Sequence, residues 1–151
     1  MDAVLLDTDV FSFLLKRGDT RAELYKPHVK NRTVVLSFVS VGELYVWAVS
    51  RNWGRKKLAE FEERLKSTVI VPYDLELCRV YGRVKAGLPK GRVVPCNDLW
   101  IAVCAIRHSI PLLTHNRKDF EGIPGLKLIS ESSGPSSATP KTAPLFEPPN
   151  S

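Results

Sequence analysis

Cysteine is scarce in this chain of 151 residues, and the three present, Cys78, Cys96 and Cys104, form no C-x-x-C pair. An odd number at such spacing argues against both a disulfide framework and a zinc knuckle. Histidine is as rare, and none of the three stands where a zinc site would need it. Long apolar runs are missing near the start: Asp2, Asp7 and Asp9 interrupt each hydrophobic stretch there, and no basic segment precedes them. Neither a secretory signal nor a membrane span is therefore expected. These absences together predict a soluble protein kept in a reducing cytoplasm.

What is present suits one compact domain. The chain is 44% hydrophobic, and a chain of this size buries roughly 70% of its unfolded surface, enough for a real core. The formal charge is +6, from 22 Lys and Arg against 16 Asp and Glu. Such a balance attracts phosphate-rich partners, although a merely soluble surface accounts for it equally well.

Short β-branched runs alternate with longer segments of helical spacing. AVLL (3–6), RTVVLSF (32–38), TVIVPY (68–73), IPLLT (110–114) and LKLIS (126–130) read as strands. DTDVFSFLLKRG (7–18) reads as a turn and a short helix stopped by Gly18. SVGELYVWAVSR, RKKLAEFEERLKS, DLELCRVYGRVKAG and NDLWIAVCAIRHS carry helical spacing, the third ended by Gly-Leu-Pro at 87–89. This alternation predicts an α/β fold, a three-layer α/β/α sandwich around a central, mainly parallel sheet. The domain is expected over 1–131. Residues 132–151, crowded with Pro, Ser and Thr, are expected to form a disordered tail.

In open α/β sheets ligands sit beyond the carboxyl ends of the strands. Asp7 directly follows the first strand, Glu43 starts the helix after the second, Asp98 opens the helix after Pro95, and Asp119 follows the fourth strand. Four acids from distant segments can thus meet at one sheet edge. Taken singly, three have simpler roles. SVGE (40–43) matches a capping box, Asn97 and Asp98 match an N-cap with a first-turn acid, and Asp119 suits a solvated loop. Asp7 resists such treatment, because an unpaired ionised carboxylate at the end of an apolar central strand is expensive. Converging carboxylates repel, raising at least one pKa unless a cation is present. Oxygen-only donors at this density point to Mg²⁺ or Mn²⁺.

LLDTDVF, SFVSVGELYVWA, NDLWIAVCA and LLTHNRKDFEGIPGLKLI occur in the order and approximate spacing of PIN domains. The resemblance spans roughly residues 3–129 and is greatest to the VapC-type ribonuclease toxins of toxin–antitoxin pairs. It implies a metal-dependent RNA endonuclease, a homodimer, held inactive by a small cognate antitoxin. Carried over by motif, the four acids fall on Asp7, Glu43, Asp98 and Asp119, with Ser40, Thr114 and Asn116 as accompanying polar positions. The resemblance implies that Asp7 and Asp98 ligate Mg²⁺ or Mn²⁺ directly, while Glu43 and Asp119 complete the shell through water or hold a second ion. Where many relatives carry Asn two residues after the first acid, this chain has Asp9, which either touches the metal shell or caps the helix, the cap being the expectation here.

Without the four acids, 22 cationic side chains face 12 acidic ones, a balance of +10. A positive rim around a negative pocket suits a polyanion delivered to a cation. Candidate grips are residues 55–57, Arg79, Arg83, Lys85, Lys90, Arg92, Arg117 and Lys118; solvated helix faces explain each as well. Trp47 and Trp100 are expected to pack in the core or a dimer, Cys96 and Cys104 to be buried fillers, and His115 to face water. Two other readings fit the opening motif. A haloacid dehalogenase-like phosphatase would use Asp7 as nucleophile and Asp9 as acid/base, leaving Glu43 and Asp98 without a role. A non-catalytic module would use the acidic pocket to accept a partner's arginine.

Overall fold

The computed structural model describes residues 2–132. The element order is β1 (Ala3–Leu6), α1 (Thr8–Leu15), α2 (Ala22–Val29), β2 (Thr33–Ser37), α3 (Phe38–Ser50), α4 (Arg55–Lys66), β3 (Val69–Val71), α5 (Leu75–Ala86), α6 (Cys96–His108), β4 (Leu112–Leu113), α7 (Arg117–Phe120) and β5 (Leu128–Ile129). The five strands form one sheet in the order β3-β2-β1-β4-β5, and every pairing is parallel. The expected tail lies outside the described residues, apart from its first member, Ser132.

Period-two alternation divides the sheet's side chains between two cores. Val4 and Leu6 of β1, Leu36 of β2 and Leu113 of β4 join Phe11, Phe13, Tyr25, Leu44 and Phe61 from α1–α4. Leu5, Val35 and Leu112 point the other way and join Leu77, Val80, Val84 and the buried residues of α6. Because both faces are covered, the strands read as unbroken apolar runs. Three layers result, as the sequence pattern predicts. Leu99, Ile101, Ala102, Val103, Cys104 and Ala105 of α6 are all buried, so this helix is apolar nearly all round and lies inside the fold. No described helix is long and apolar enough to cross a membrane.

Two helices escape the sequence pattern. α2 buries only Ala22 and Tyr25 and contains Pro27, which has no N–H to bond the Glu23 carbonyl. α7 has four residues, too few to show a period. The first helix ends at Leu15, and Gly18, at φ +79°, turns the chain beyond it.

The order of the strands determines where a site can form. From β1 the chain steps outward through β2 to β3, then returns past β1 to β4 and β5. A crevice therefore opens beyond the carboxyl ends of β1 and β4, the usual ligand position in such sheets. Leu6 pairs with Leu113, so Asp7 and Thr114 emerge there side by side.

Candidate active site at the carboxyl edge of the sheet

Asp7 is 6% exposed. It is the N-cap of α1, with Oδ1 accepting the Thr8 N–H at 2.8 Å. Its other oxygen accepts the Thr114 hydroxyl at 2.6 Å. The same hydroxyl oxygen accepts the Asn116 N–H at 2.9 Å, and Asn116 Nδ2 donates to Asp119 Oδ2 at 2.6 Å. The polar positions Thr114 and Asn116 thus connect the first acid to the fourth.

A second chain of bonds was not legible as such in the sequence. Thr8, 4% exposed, donates its hydroxyl to Glu43 Oε1 at 2.5 Å and stands 2.8 Å from the Ser40 hydroxyl. Asn97 Nδ2 donates to Glu43 Oε2 at 2.9 Å. The capping-box reading of residues 40–43 is therefore corrected: the cap of α3 is Ser37, whose hydroxyl accepts the Ser40 N–H. Glu43 lies a turn and a half inside the helix, its carboxylate free to turn toward β1. Asn97 is likewise not a cap. Pro95 holds that position in α6 and Asp98 lies in the first turn. The signal for Thr8 was its place between two acids directly after a strand. Thr8→Val should destabilise the fold by about 1–3 kcal/mol, because Glu43 and Ser40 both lose a buried partner, whereas Thr8→Ser should stay near wild type. Urea denaturation of the three proteins checks this.

Asp98 and Asp119 complete the group. Asp98 is pushed up to about 8, by burial first, then by the charges of Asp7, Asp119 and Glu43, with a hydrogen-bonding approach to Asp119 adding to the rise. Asp7 is pushed up to about 6: burial dominates, the Thr114 and Thr8 bonds oppose it, and Glu43 and Asp119 raise it further. These causes place Asp7, Glu43, Asp98 and Asp119 in one electrostatic neighbourhood. Asp119 sits on α7 and not in an open loop. Arg92 Nη2 clamps this helix end by donating to the Asp119 and Glu121 carbonyls at 3.1 and 3.0 Å, so part of this guanidinium serves the backbone and not a phosphate.

Asp9 does not cap α1, since Asp7 does. It lies in the first turn, 5% exposed, with Oδ1 accepting the Val10 N–H at 2.6 Å. Its Oδ2 has no hydrogen-bond partner among the described residues. Its pKa is raised well above the ordinary carboxylate range, by burial and then by Asp7, with the Val10 N–H bond opposing and Asp98 adding a smaller rise. Clustered carboxyl groups that burial and mutual repulsion drive toward protonation are the condition a hard cation relieves. The donors are all oxygen, which fits Mg²⁺ or Mn²⁺ in kind. Among the described residues, no three Asp, Glu, His or Cys side chains are gathered tightly enough to grip an ion as they stand. Glu43 is held to Thr8 and Asn97, so it would have to leave these partners to reach an ion, whereas each Asp7 oxygen accepts one hydrogen bond and keeps a lone pair for a cation.

Comparison with known proteins shows the family. The PIN domain profile matches residues 4–126. This chain belongs to the PIN-domain family. Within that family it is similar to the VapC proteins: it is 30% identical over 125 residues to Ribonuclease VapC1 of Haemophilus influenzae strain R2866, covering 82% of this chain and 93% of that one. It is 36% identical over 131 residues to Ribonuclease VapC of Rickettsia bellii, covering 84% and 95%. Among solved structures, VapBC2 from Rickettsia felis, bound to a DNA fragment from its promoter, contains a chain that superposes with a TM-score of 0.74 at 25% identity, covering 85% of this chain and 98% of that one. These matches do not favour the phosphatase reading.

The remaining expectations divide. Trp100 stacks on Tyr81 with centroids 3.9 Å apart, and Trp47 packs partly buried against the α1–α4 core, so both aromatics serve packing as expected. Cys104 is buried, its thiol pushed up to about 12 by burial. Cys96 is exposed, against expectation, as are its neighbours Pro95 and Asn97 at the start of α6. His115 does not face water as a loop residue would. Its ring is wedged between Phe13 and Tyr25, and burial lowers its pKa.

Proposed function

We propose that this chain is a metal-dependent endoribonuclease toxin that hydrolyses RNA phosphodiester bonds and is neutralised by a cognate antitoxin. The observation that carries the reading is the meeting of Asp7, Glu43, Asp98 and Asp119 at the β1–β4 crevice in a chain of VapC type. Asp7 and Asp98 would hold Mg²⁺ or Mn²⁺ directly, and Glu43 and Asp119 would complete its shell. When bound, the ion supplies a water of lowered pKa and counter-charge for the phosphoryl oxygens.

The chain's own residues do the positioning. Thr114 and the Thr8 N–H orient the two Asp7 oxygens. Thr8 and Asn97 store the Glu43 carboxylate beside the crevice. Asn116 and Arg92 set Asp119 from side chain and backbone. Arg83, Lys90 and Lys118 are exposed and suit contacts with neighbouring phosphates, which fix register without reading sequence.

The same acidity suits an antitoxin arginine, which would replace the ion's charge. A homodimer in the cytoplasm completes the proposal. Exposed Val46 and Val49 of α3, at 62% and 76%, with Val69 and Ile70 on the edge strand, supply apolar surface for association. Purified protein should cut RNA with Mg²⁺ or Mn²⁺, stop on EDTA, and recover when either ion is returned. Cutting that continues in EDTA would remove the metal from the reading. Light scattering at micromolar concentration tests the dimer.

A further inference from the structure

Tyr25 is 0% exposed, although phenylalanine would fill the same space with no hydroxyl to desolvate. A buried hydroxyl is expensive unless its bonds are made, and this one makes several. It stands 2.6 Å from His115 Nδ1 and 3.3 Å from the Thr114 carbonyl, and it accepts the Glu131 N–H at 3.0 Å. The His115 ring meets Tyr25 edge-on at 5.6 Å and Phe13 at 5.5 Å. Its neighbours in sequence, Thr114 and Asn116, are the two residues whose side chains grip Asp7 and Asp119. Fixing His115 therefore fixes the peptide from which both grips project.

α2 buries little else. Its remaining tie to this region is His28, whose Nε2 stands 2.6 Å from Glu131 Oε2, holding the same strap that Tyr25 bonds through its N–H. The helix thus contributes one deep side chain, and that side chain ends at the loop of the fourth acid.

We propose that Tyr25 is a positioning residue for catalysis, acting through His115 to hold the Thr114–Asn116 peptide so that Asp7 and Asp119 face a common ion. The inference rests on the nuclease reading. It assigns function to an aromatic residue on the helix that the sequence pattern concealed.

The test uses the full chain with Mn²⁺, a short fluorogenic RNA, and calorimetric titration of Mn²⁺ without RNA. Tyr25→Phe keeps the ring and removes the hydroxyl. It should lower kcat about 10- to 100-fold and weaken Mn²⁺ binding about tenfold, as loss of an outer partner of a metal site does, with KM for RNA changed by less than about twofold. His115→Ala should match it, and the double variant should be no worse than the weaker single, because the two residues act as one unit. His115→Asn, whose amide oxygen can accept the Tyr25 proton, should recover most of the loss. Tyr25→Phe turning over within twofold of wild type, single effects that multiply, or failure of His115→Asn to recover activity while the Tm is kept would each overturn the inference. Wild-type protein that cuts no RNA with either metal would instead overturn the nuclease reading.

Discussion

Asp7→Asn should abolish RNA cleavage, by more than about 10³-fold, while making the metal-free protein more stable at pH 8. The activity loss follows from removing the one carboxylate that is both buried and aimed from the central strand into the crevice, since a neutral amide supplies far weaker support to a cation and to developing phosphoryl charge. The stability gain has the opposite electrostatic origin. The Asp7 carboxyl is raised to about 6 from an ordinary 3.8. A group raised in this way contributes stability that is fully present below its unfolded pKa and is lost as pH climbs through the folded one. For Asp7 the loss runs between pH 4 and about 6 and is on the order of a few kcal/mol. Asparagine cannot ionise and escapes it. Thermal melts in EDTA should therefore show wild type losing more Tm than the variant between pH 4 and 7. Added Mg²⁺ should raise the Tm of wild type at pH 8 and leave the variant nearly unmoved. Equal pH slopes in the two proteins would show that Asp7 is not held against its charge.

Phe61→Ala should cost about 3–5 kcal/mol, the range for emptying a closed aromatic site. Phe61 is 0% exposed and is the one buried residue of α4. Its ring meets Trp53, Tyr45 and Phe11 edge-on at 5.6, 5.0 and 6.4 Å. The residue joins α4 to α3, which carries Glu43, and to α1, which begins beside Asp7. Truncation removes the anchor of a whole helix. Urea denaturation should show a large fall in midpoint, and Phe61→Leu should recover more than half of it. A cost below about 1 kcal/mol would mean that Leu58 and Leu65 hold α4 without Phe61.

Much of the fold was legible in the sequence. Buried parallel strands advertise themselves as apolar runs, and α3 to α6 repeat at helical spacing over twelve or thirteen residues. The fit failed for α2, where a proline and one deep tyrosine replace a periodic stripe, and for α7, which is shorter than any period. Cap residues misled for a related reason. Ser40 and Asn97 are common caps in composition, yet each lies inside its helix, and only the entry angle of the chain assigns the cap to Ser37 and Pro95.

The site divides in the same manner. That Asp7, Asp98 and Asp119 lie directly after a strand or in the first turn of a helix is a property of the order of residues, and the sequence alone determined it; that Glu43 lies a turn and a half inside α3 was not. Which of them share an electrostatic environment depends on β1 lying between β2 and β4, a pairing separated by more than a hundred residues along the chain. The bonds of Thr8 to Glu43, Asn97 to Glu43 and Tyr25 to His115 could be decided only in three dimensions. Local sequence encodes which face of an element is apolar, whereas a polar contact between distant elements carries no period and exists only once packing has brought its two ends together.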